Sequence, residues 1–239
     1  MSEILEIIQN RHSSRYPFDP EHKPSKKDLM QILEAARWAP TAHNMQNFEI
    51  VVVDDRKHLM ELGNIKSKIS EEFLRENYQQ LSFTEEELIQ KKVGILGTMF
   101  PQSWRTPDDW EKVARESESS SLDQTIKGSP MLLIVTYDAR KRASSSEGDV
   151  LGFISLGCVM ENMWLMAQAL GIDFQIMSVF GADSVEKDVK KTLEIPEYMR
   201  IAYAVRLGYP ISKPSKFLRV RRDLEEFAHY NRFENTWFV

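Results

Sequence analysis

Residues 149–170 form the longest apolar stretch of the chain, and they decide which folds are open to it. A helix of this sequence is apolar on nearly every side, as a fully buried helix is. Its most apolar part, residues 150–160, is soon followed by Glu161 and is shorter than the roughly 18 residues that a membrane span needs. We therefore predict a buried central helix, in which Gly152 and Gly157 permit the close approach of another backbone.

Short apolar and β-branched runs predict the strands. Continuous runs such as 48–53 and 131–137 are typical of strands that are buried on both faces. Two further strands are predicted at 174–179 and 201–207. Amphipathic spacing and capping residues predict the other helices at 4–8, 25–39, 184–193 and 224–230, the third of them capped by Asp183 with Glu186.

Residues 64–128, between the first two predicted strands, are polar, helical and weakly patterned, which indicates an excursion from the core. The segment contains three helix-start signatures: Ser70 before acidic residues, Thr84 with Glu87, and Thr106-Pro107 with Asp109. Its aromatic residues are more numerous than a solvated excursion needs, so we expect part of it to pack. They include Phe100, Trp104 and Trp110.

Charge and cysteine usage exclude several classes of protein. A formal net charge of −5 and a pI near 5.7 argue against a nucleic acid or an anionic membrane as the main partner. Cys158 is the only cysteine, so an intrachain disulfide and a cysteine-based zinc site are excluded, and a reducing cytoplasm fits. The five histidines lack metal-ligand spacing, so we predict no metal site. The acidic first ten residues differ from a secretory leader and are expected to belong to the folded protein.

Three polar clusters have side chains suited to binding a ligand. Residues 11–15, Arg-His-Ser-Ser-Arg, can hold a phosphate and a polar heterocycle, although a solvated basic helix end is the plain alternative. In residues 219–222, alternation directs Arg219 and Arg221 to one side, whereas charge runs of this kind usually face solvent. Residues 40–47 form an amide-rich loop of a type that either binds ligands or simply turns the chain. Glycine-rich nucleotide loops and hydrolase motifs are absent from the sequence.

The order of these clusters along the chain resembles the nitroreductase family of flavoproteins. The matching opening comprises residues 11–20, residues 34–40, Asn44-x-Gln46 and a strand. In the second half, 162–171 resembles the end of the family's central helix, 174–180 its flavin-facing strand, 207–210 its last core strand and 219–231 its C-terminal arm. The resemblance covers residues 3–63 and 129–232, whereas residues 64–128 match no part of the pattern.

The resemblance implies an FMN site, position by position. The residues matched to the phosphate, ribityl chain and pyrimidine edge are Arg11, His12, Ser13 and Arg15, with Arg219 and Arg221 as further phosphate contacts. The loop implied to approach from the partner subunit contains Pro40, Thr41, Ala42 and Asn44, supported by Gln46. The backbone implied to lie along the ring comprises Ile176, Met177, Ser178 and Val179, with the Ser178 amide near N5. His43 and Asn47-Phe48 replace a small residue and Pro-Trp, which leaves the shape of the loop open.

The resemblance also implies a fold and an assembly. The expected fold is a single α+β domain over residues 1–239, with a mostly antiparallel sheet of four to five strands flanked by helices. The excursion at 64–128 and a C-terminal arm at 211–239 extend it. Members of the family are intertwined homodimers, so the arm is expected to add a strand to the partner's sheet. Its aromatic residues would then be buried against that subunit: Phe227, Phe233, Trp237 and Phe238.

The implied activity is that of an NAD(P)H-dependent flavin oxidoreductase. FMN performs the redox chemistry, so no catalytic side chain is predicted. The expected course is ping-pong, in which NADH or NADPH reduces the flavin and leaves before an electron-poor nitroaromatic, quinone or enone takes the electrons.

Three alternatives remain open at this point. One is a reductive dehalogenase, whose lid would need a glutamate, a tyrosine and a lysine of the kind found at Glu72, Tyr78 and Lys91. The others are a flavin-modifying enzyme and a flavin-binding protein without turnover. The excursion, with Phe100, Trp104, Arg105 and Trp110, is either a lid that sets substrate choice or a packing element.

Overall fold

The computed structural model describes residues 2–67, 69–99, 101–116, 120–212 and 218–235. The chain divides into two compact units. The first unit comprises residues 1–67 and 119–213, and the second comprises residues 68–118 and 214–239.

The first unit contains one four-stranded sheet and six helices among its described residues. In a numbering that runs along the whole chain, the helices are α1 (Glu3–Asn10), α2 (Lys26–Arg37), α3 (Arg56–Gly63), α8 (Ser120–Lys127), α9 (Val150–Ala169) and α10 (Asp183–Thr192). The strands are β1 (Glu49–Val53), β4 (Met131–Asp138), β5 (Asp173–Met177) and β6 (Met199–Gly208). All neighbouring strands are antiparallel, in the order β1-β4-β6-β5.

The inner strand β4 is buried on both faces because its consecutive residues are apolar, whereas the edge strand β1 is buried only at Val53. Side chains alternate between the two faces of a strand. In β4, Met131, Leu133 and Val135 therefore pack in a cluster with α2 and α9. Leu132 and Ile134 pack on the opposite face, with α3, α8 and α10. Helices thus flank an antiparallel sheet, which confirms the predicted α+β fold.

Helix α9 is the predicted central helix. Leu156, Val159 and Met163 belong to the core on one face of the sheet. Among the described helices, residues 147–169 alone are long and apolar enough to cross a membrane, and 33% of the most apolar window is buried inside the chain. Packing against the sheet therefore accounts for the apolar composition of its buried side.

The N-terminal half of α9 is less covered than the sequence predicts. Four of its apolar side chains are exposed: Val150, Leu151, Phe153 and Ile154. The close backbone approach predicted at the two glycines is not found within the described chain. A Cβ at Gly152 would meet the Asp149 carboxylate, and a Cβ at Gly157 would meet no described atom within 4 Å.

The second unit contains short elements. Its helices are α4 (Glu71–Leu74), α5 (Glu85–Lys91), α6 (Gln102–Arg105) and α7 (Trp110–Glu116), and its strands β2 (Ser82–Phe83) and β3 (Ile95–Leu96) pair in parallel. A π-helical turn, Arg75–Gln79, follows α4. As predicted, Ser70 and Thr84 cap the helices that follow them. Thr106 does not cap, because its hydroxyl donates to the Gln102 carbonyl instead.

Three predicted element ends are wrong. The strand at 174–179 ends at Met177, after which a 3₁₀ turn runs over Ser178–Gly181. Asp183 is the first residue of α10 rather than its cap, since its carboxylate pairs with Arg200 at 2.9 Å. The helix at 224–230 is only a 3₁₀ turn, Leu224–Glu226, because the chain folds back and the Tyr230 N–H donates to the Asn235 carbonyl.

Candidate functional site

The basic cluster 11–15 lies beside β5, which is an edge strand of the sheet. Ser13 forms a parallel bridge with Phe174, and the Ser14 N–H donates to the Phe174 carbonyl oxygen at 3.0 Å. Because the two segments are parallel, the chain runs from Ser13 towards Arg15 in the direction in which β5 runs towards Ile176. The structure therefore brings the basic cluster together with the predicted flavin-facing strand.

Arg11 directly follows α1 and rests on α9. The carbon at the centre of its guanidinium lies 4.4 Å from the centre of the Trp164 ring. Its Nε lies 3.1 Å from Glu161 Oε1, but the approach is not aligned for hydrogen bonding. Among the described residues this buried Nε has no hydrogen-bond acceptor. A buried cationic donor in this state is suited to an anionic ligand, which can accept its hydrogen bond.

His12 is held through both ring nitrogens. Its Nδ1 lies 3.2 Å from the Asn10 carbonyl oxygen and therefore donates to it. Its Nε2 lies 3.1 Å from Ser14 Oγ and 3.7 Å from Asp173 Oδ1. In the neutral ring Nε2 accepts from the Ser14 hydroxyl, whereas a protonated ring attracts the Asp173 carboxylate. The orientation of the imidazole is thus fixed in either protonation state.

Arg206, which no motif in the sequence marks as a site residue, holds this segment against the sheet. Arg206 lies on β6, is 2% exposed, and donates to the carbonyl oxygens of Ser14 and Tyr16. It also donates to Gln175 Oε1 at 2.5 Å, and its guanidinium lies 4.0 Å from the Phe18 ring centre. Burial lowers the pKa of Arg206 to about 10. Its one sequence signal is a lone cation in the second half of a strand that is otherwise apolar there.

Arg15 differs from Arg206 in its surroundings. Arg15 as a residue is exposed. Burial of part of the side chain lowers the pKa of its guanidinium below the ordinary value. The group stays cationic at neutral pH because arginine has a very high intrinsic pKa.

The loop 40–47 has a strained backbone. His43, Asn44 and Gln46 have φ values of 51°, 53° and 46°, in the left-handed region. That region costs roughly 1–2 kcal/mol per residue for most side chains and less for asparagine. Strain of this kind persists only where the surroundings enforce it, and it is concentrated at ligand-binding sites.

Hydrogen bonds enforce this loop conformation. The Ala42 N–H donates to Ser155 Oγ of α9 at 2.9 Å, and the Gln46 N–H donates to Thr41 Oγ1 at 3.1 Å. The Gln46 side-chain amide donates to Asn44 Oδ1 at 3.1 Å. Pro40 directly precedes this bonded stretch. Gln46 therefore braces the loop from within.

Asn47 ties the end of the loop to the end of β4. Its side-chain amide donates to the carbonyl oxygens of Asp138 at 3.2 Å and Lys141 at 3.1 Å. Its Oδ1 accepts from the Asp138 N–H at 3.1 Å. The nitroreductase family, which the sequence resembles, often has proline at this position. Asn47 makes three side-chain hydrogen bonds here that proline cannot make.

The loop and the basic cluster contact different sides of α9. The loop is bonded to Ser155, whereas the cluster contacts Trp164, nine positions further along. In a regular helix these positions are about 180° apart around the axis and about 14 Å apart along it. Within one chain the two groups of predicted site residues therefore do not form one pocket.

Arg219 and Arg221 lie in the second unit, and both are exposed. Arg221 Nη1 donates to the Val220 carbonyl oxygen at 2.7 Å. In the same unit Lys92 pairs with Asp223 and Glu226, so the residues after the two arginines are bound to the end of α5. Phe227 and Phe233 are exposed in the described chain. Trp237 and Phe238 lie outside the described residues.

The aromatic residues of the excursion form a small core of their own. Tyr78 and Trp110 are buried, and Trp104 packs against them. The Trp110 indole N–H donates to the Trp104 carbonyl oxygen at 2.8 Å. Burial raises the pKa of the Tyr78 hydroxyl. A packing role thus accounts for Trp104 and Trp110, while Phe100 lies outside the described residues.

The fold is α+β, and the basic cluster places a buried Arg11 Nε, without a hydrogen-bond acceptor among the described residues, beside the sheet. The sequence profile described as the nitroreductase family matches residues 8–209. The chain therefore belongs to the nitroreductase family.

Individual relatives agree with this assignment. A protein of Archaeoglobus fulgidus with the provisional name NADH dehydrogenase/NAD(P)H nitroreductase is 26% identical over 210 residues, covering 88% of this chain and 87% of the relative. The CLA biosynthesis enone reductase of Lactiplantibacillus plantarum is 31% identical over 180 residues, covering 74% and 76%. A crystal structure of a nitroreductase with bound FMN from Bacteroides fragilis superposes with a TM-score of 0.59 at 19% identity, covering 97% of this chain and 100% of that one.

Proposed function

We propose that this chain is an NAD(P)H-dependent FMN oxidoreductase that reduces an electron-poor nitroaromatic, quinone or enone by a ping-pong course. The observation that carries the proposal is Arg11, a half-buried cation with an unsatisfied donor beside β5. The phosphate of FMN satisfies such a donor, and family membership supports the same cofactor. Bound FMN supplies the transfer of hydride from NADH or NADPH to the acceptor.

Side chains of this chain bind and orient the cofactor. We assign the phosphate to Arg11, with Arg219 and Arg221 as further contacts, and the ribityl chain to His12 and Ser13. Arg15 faces the pyrimidine edge, where its positive charge stabilises negative charge on the reduced ring. Because no side chain acts as a nucleophile, we expect substitutions here to change cofactor affinity and redox behaviour rather than abolish a bond-making step.

In this proposal, backbone amides at the end of β5 donate hydrogen bonds to the flavin ring. The 3₁₀ turn Ser178–Gly181 begins where the strand ends. The first N–H groups of a helical turn have no partner within the turn. The amides of Ser178 and Val179 can therefore donate to a ring nitrogen, with Ile176 and Met177 lining the preceding backbone.

A homodimer completes the site in this proposal. The loop residues Pro40 to Gln46 and the basic cluster contact opposite sides of α9, so one flavin contacts both only if they come from different copies. Exposed apolar residues at the start of α9, including Phe153 and Ile154, supply a surface for the second copy. We further propose that the arm 211–239 crosses to the partner.

The enone reductase relative and the burial of Tyr78 in the second unit bear on which reaction we propose. The 31% identical enone reductase favours enones among the acceptors. The dehalogenase alternative is disfavoured, because Tyr78 is 6% exposed and packs within an aromatic core, where it is not presented to a substrate. We expect the protein in the cytoplasm, where NADH and NADPH are regenerated.

Replacing two of the three proposed phosphate contacts tests the assignment. We expect the variant Arg11→Ala/Arg219→Ala to be purified without flavin and to bind added FMN at least a hundredfold more weakly, since each charged contact contributes about 1.5–3 kcal/mol. Flavin fluorescence titration measures this, and Arg142→Ala, an exposed arginine, is the control. A double variant that retains flavin and turnover would overturn the phosphate assignment.

A further inference from the structure

We propose that Trp164 positions the phosphate-binding arginine, and that it thereby makes the site select FMN over riboflavin. The inference rests on the proposed function, since it assigns the phosphate to Arg11. Trp164 lies on α9 and is 8% exposed. It is a positioning residue, because it acts through the groups that it contacts.

Trp164 contacts three parts of the site at once. Its ring face lies 4.4 Å from the Arg11 guanidinium carbon. Its indole N–H donates to the His12 carbonyl oxygen at 3.1 Å. Its ring also stacks on Phe174 of β5, with centres 5.1 Å apart and an interplanar angle of 15°. One side chain thus sets the relative placement of Arg11, the His12 backbone and the flavin-facing strand.

The contact with Arg11 bears on phosphate recognition. An arginine side chain has many rotamers, and ordering it on binding costs conformational entropy. A guanidinium that already lies on an indole face is ordered before the ligand arrives, and the electrostatic attraction to the ring persists in the bound state. Glu161 lies one helical turn from Trp164 on the same side of α9 and attracts the same guanidinium.

A comparison of FMN with riboflavin isolates the contribution of the positioned Arg11 to phosphate binding. Riboflavin shares the ring and ribityl chain of FMN but lacks the phosphate, so Arg11 contributes to the binding of FMN alone. A general loosening of the fold lowers the affinity for both flavins together. A specific loss of Arg11 positioning lowers the ratio of the two affinities.

Two substitutions separate the contacts. Trp164→Phe keeps an aromatic face for Arg11 and Phe174 but removes the hydrogen bond to His12. Trp164→Leu removes both the face and the bond. Trp110→Phe is the matched control, because Trp110 in the second unit also donates its indole N–H to a backbone carbonyl, that of Trp104.

The experiment measures dissociation constants for FMN and riboflavin with the full-length protein by fluorescence quenching, after circular dichroism has verified folding. We expect Trp164→Leu to lower the preference for FMN about tenfold, the size of the entropic cost of ordering one long side chain on binding, and Trp164→Phe to lower it about threefold. Trp110→Phe should leave the preference unchanged. If the leucine variant does not fold, the phenylalanine variant still carries the test.

The outcomes distinguish this inference from the proposed function. A wild-type protein that prefers FMN, with folded Trp164 variants that retain the full preference, overturns the role of Trp164 alone. A wild-type protein that binds FMN and riboflavin equally, or binds neither, overturns the phosphate site and this inference with it.

Discussion

Replacing Arg206 by methionine should destabilise the first unit and weaken FMN binding, although Arg206 is not assigned to the cofactor. Methionine fills a similar volume without any donor. The substitution leaves the carbonyl oxygens of Ser14 and Tyr16 and the Gln175 amide oxygen without their charged donor. Since these acceptors belong to or adjoin the segment that continues from Arg11 to Arg15, the phosphate contacts lose their support.

The magnitude follows from these three bonds, since the fourth, from Nη1 to the Thr125 carbonyl oxygen, is long at 3.4 Å. A hydrogen bond from a charged donor contributes about 1.5–3 kcal/mol. Removing the buried cation also removes its desolvation penalty, which offsets part of the loss. We therefore expect Arg206→Met to lower the free energy of unfolding by about 3–5 kcal/mol. Arg206→Lys should cost less, about 1–3 kcal/mol, because an ammonium group keeps the charge but cannot reach all three acceptors.

Urea unfolding of the apo-protein, followed by far-ultraviolet circular dichroism, measures the loss, and FMN titration measures the change in affinity. The control is Arg142→Met at an exposed position, which should change the free energy of unfolding by less than about 0.5 kcal/mol. A methionine variant at Arg206 that unfolds within about 1 kcal/mol of the wild type would refute the reasoning.

Three further predictions concern the side chains of Glu161, Asn47 and Arg140. Glu161→Gln keeps a side chain of the same size beside Arg11 but removes a negative charge that competes with the phosphate, so FMN should bind about threefold more tightly at low salt, as calorimetry can measure; weaker binding would show that the carboxylate itself is needed. Asn47→Ala should lower the free energy of unfolding by about 1–3 kcal/mol, because the Asp138 N–H and carbonyl oxygen lose a partner, and an unchanged urea midpoint would contradict this. The Arg140 side chain holds the pKa of Asp138 well below its ordinary range. As the pH falls below about 4, the Asp138 carboxylate is therefore protonated in the unfolded chain while it is still ionised in the folded chain, and the folded state loses stability. In thermal melts Arg140→Gln should therefore melt below the wild type at neutral pH and converge with it in acid; parallel curves would exclude this linkage.

Strands, most helices and two caps were predictable because their signals are local. Continuous apolar runs predict strands buried on both faces, and β4 has that burial on each side. The Thr84–Glu87 capping box lies within four residues and forms as its spacing predicts. The end of β5 was not predictable in this way, since the apolar residues Val179 and Phe180 follow Met177 closely while the backbone turns.

The support of the site was harder to predict because it is nonlocal. Trp164 contacts Arg11 and His12 across some 150 positions of sequence, and no local pattern marks such a pair. Arg206 binds mainly backbone carbonyl oxygens, which every residue has and which therefore leave no signature in the sequence. The left-handed residues of the loop are also not glycines, so their conformation depends on bonds to distant groups such as Ser155.

The central claim is that this protein is a flavin enzyme that a nicotinamide reduces. The most direct test is a visible spectrum of the purified protein, reconstituted with FMN if necessary, followed by anaerobic addition of NADH or NADPH. We expect absorption bands near roughly 370 and 450 nm that bleach on addition of one of the nicotinamides and return with an enone or nitroaromatic. A protein that binds no FMN, or whose bound FMN neither nicotinamide reduces, would contradict it.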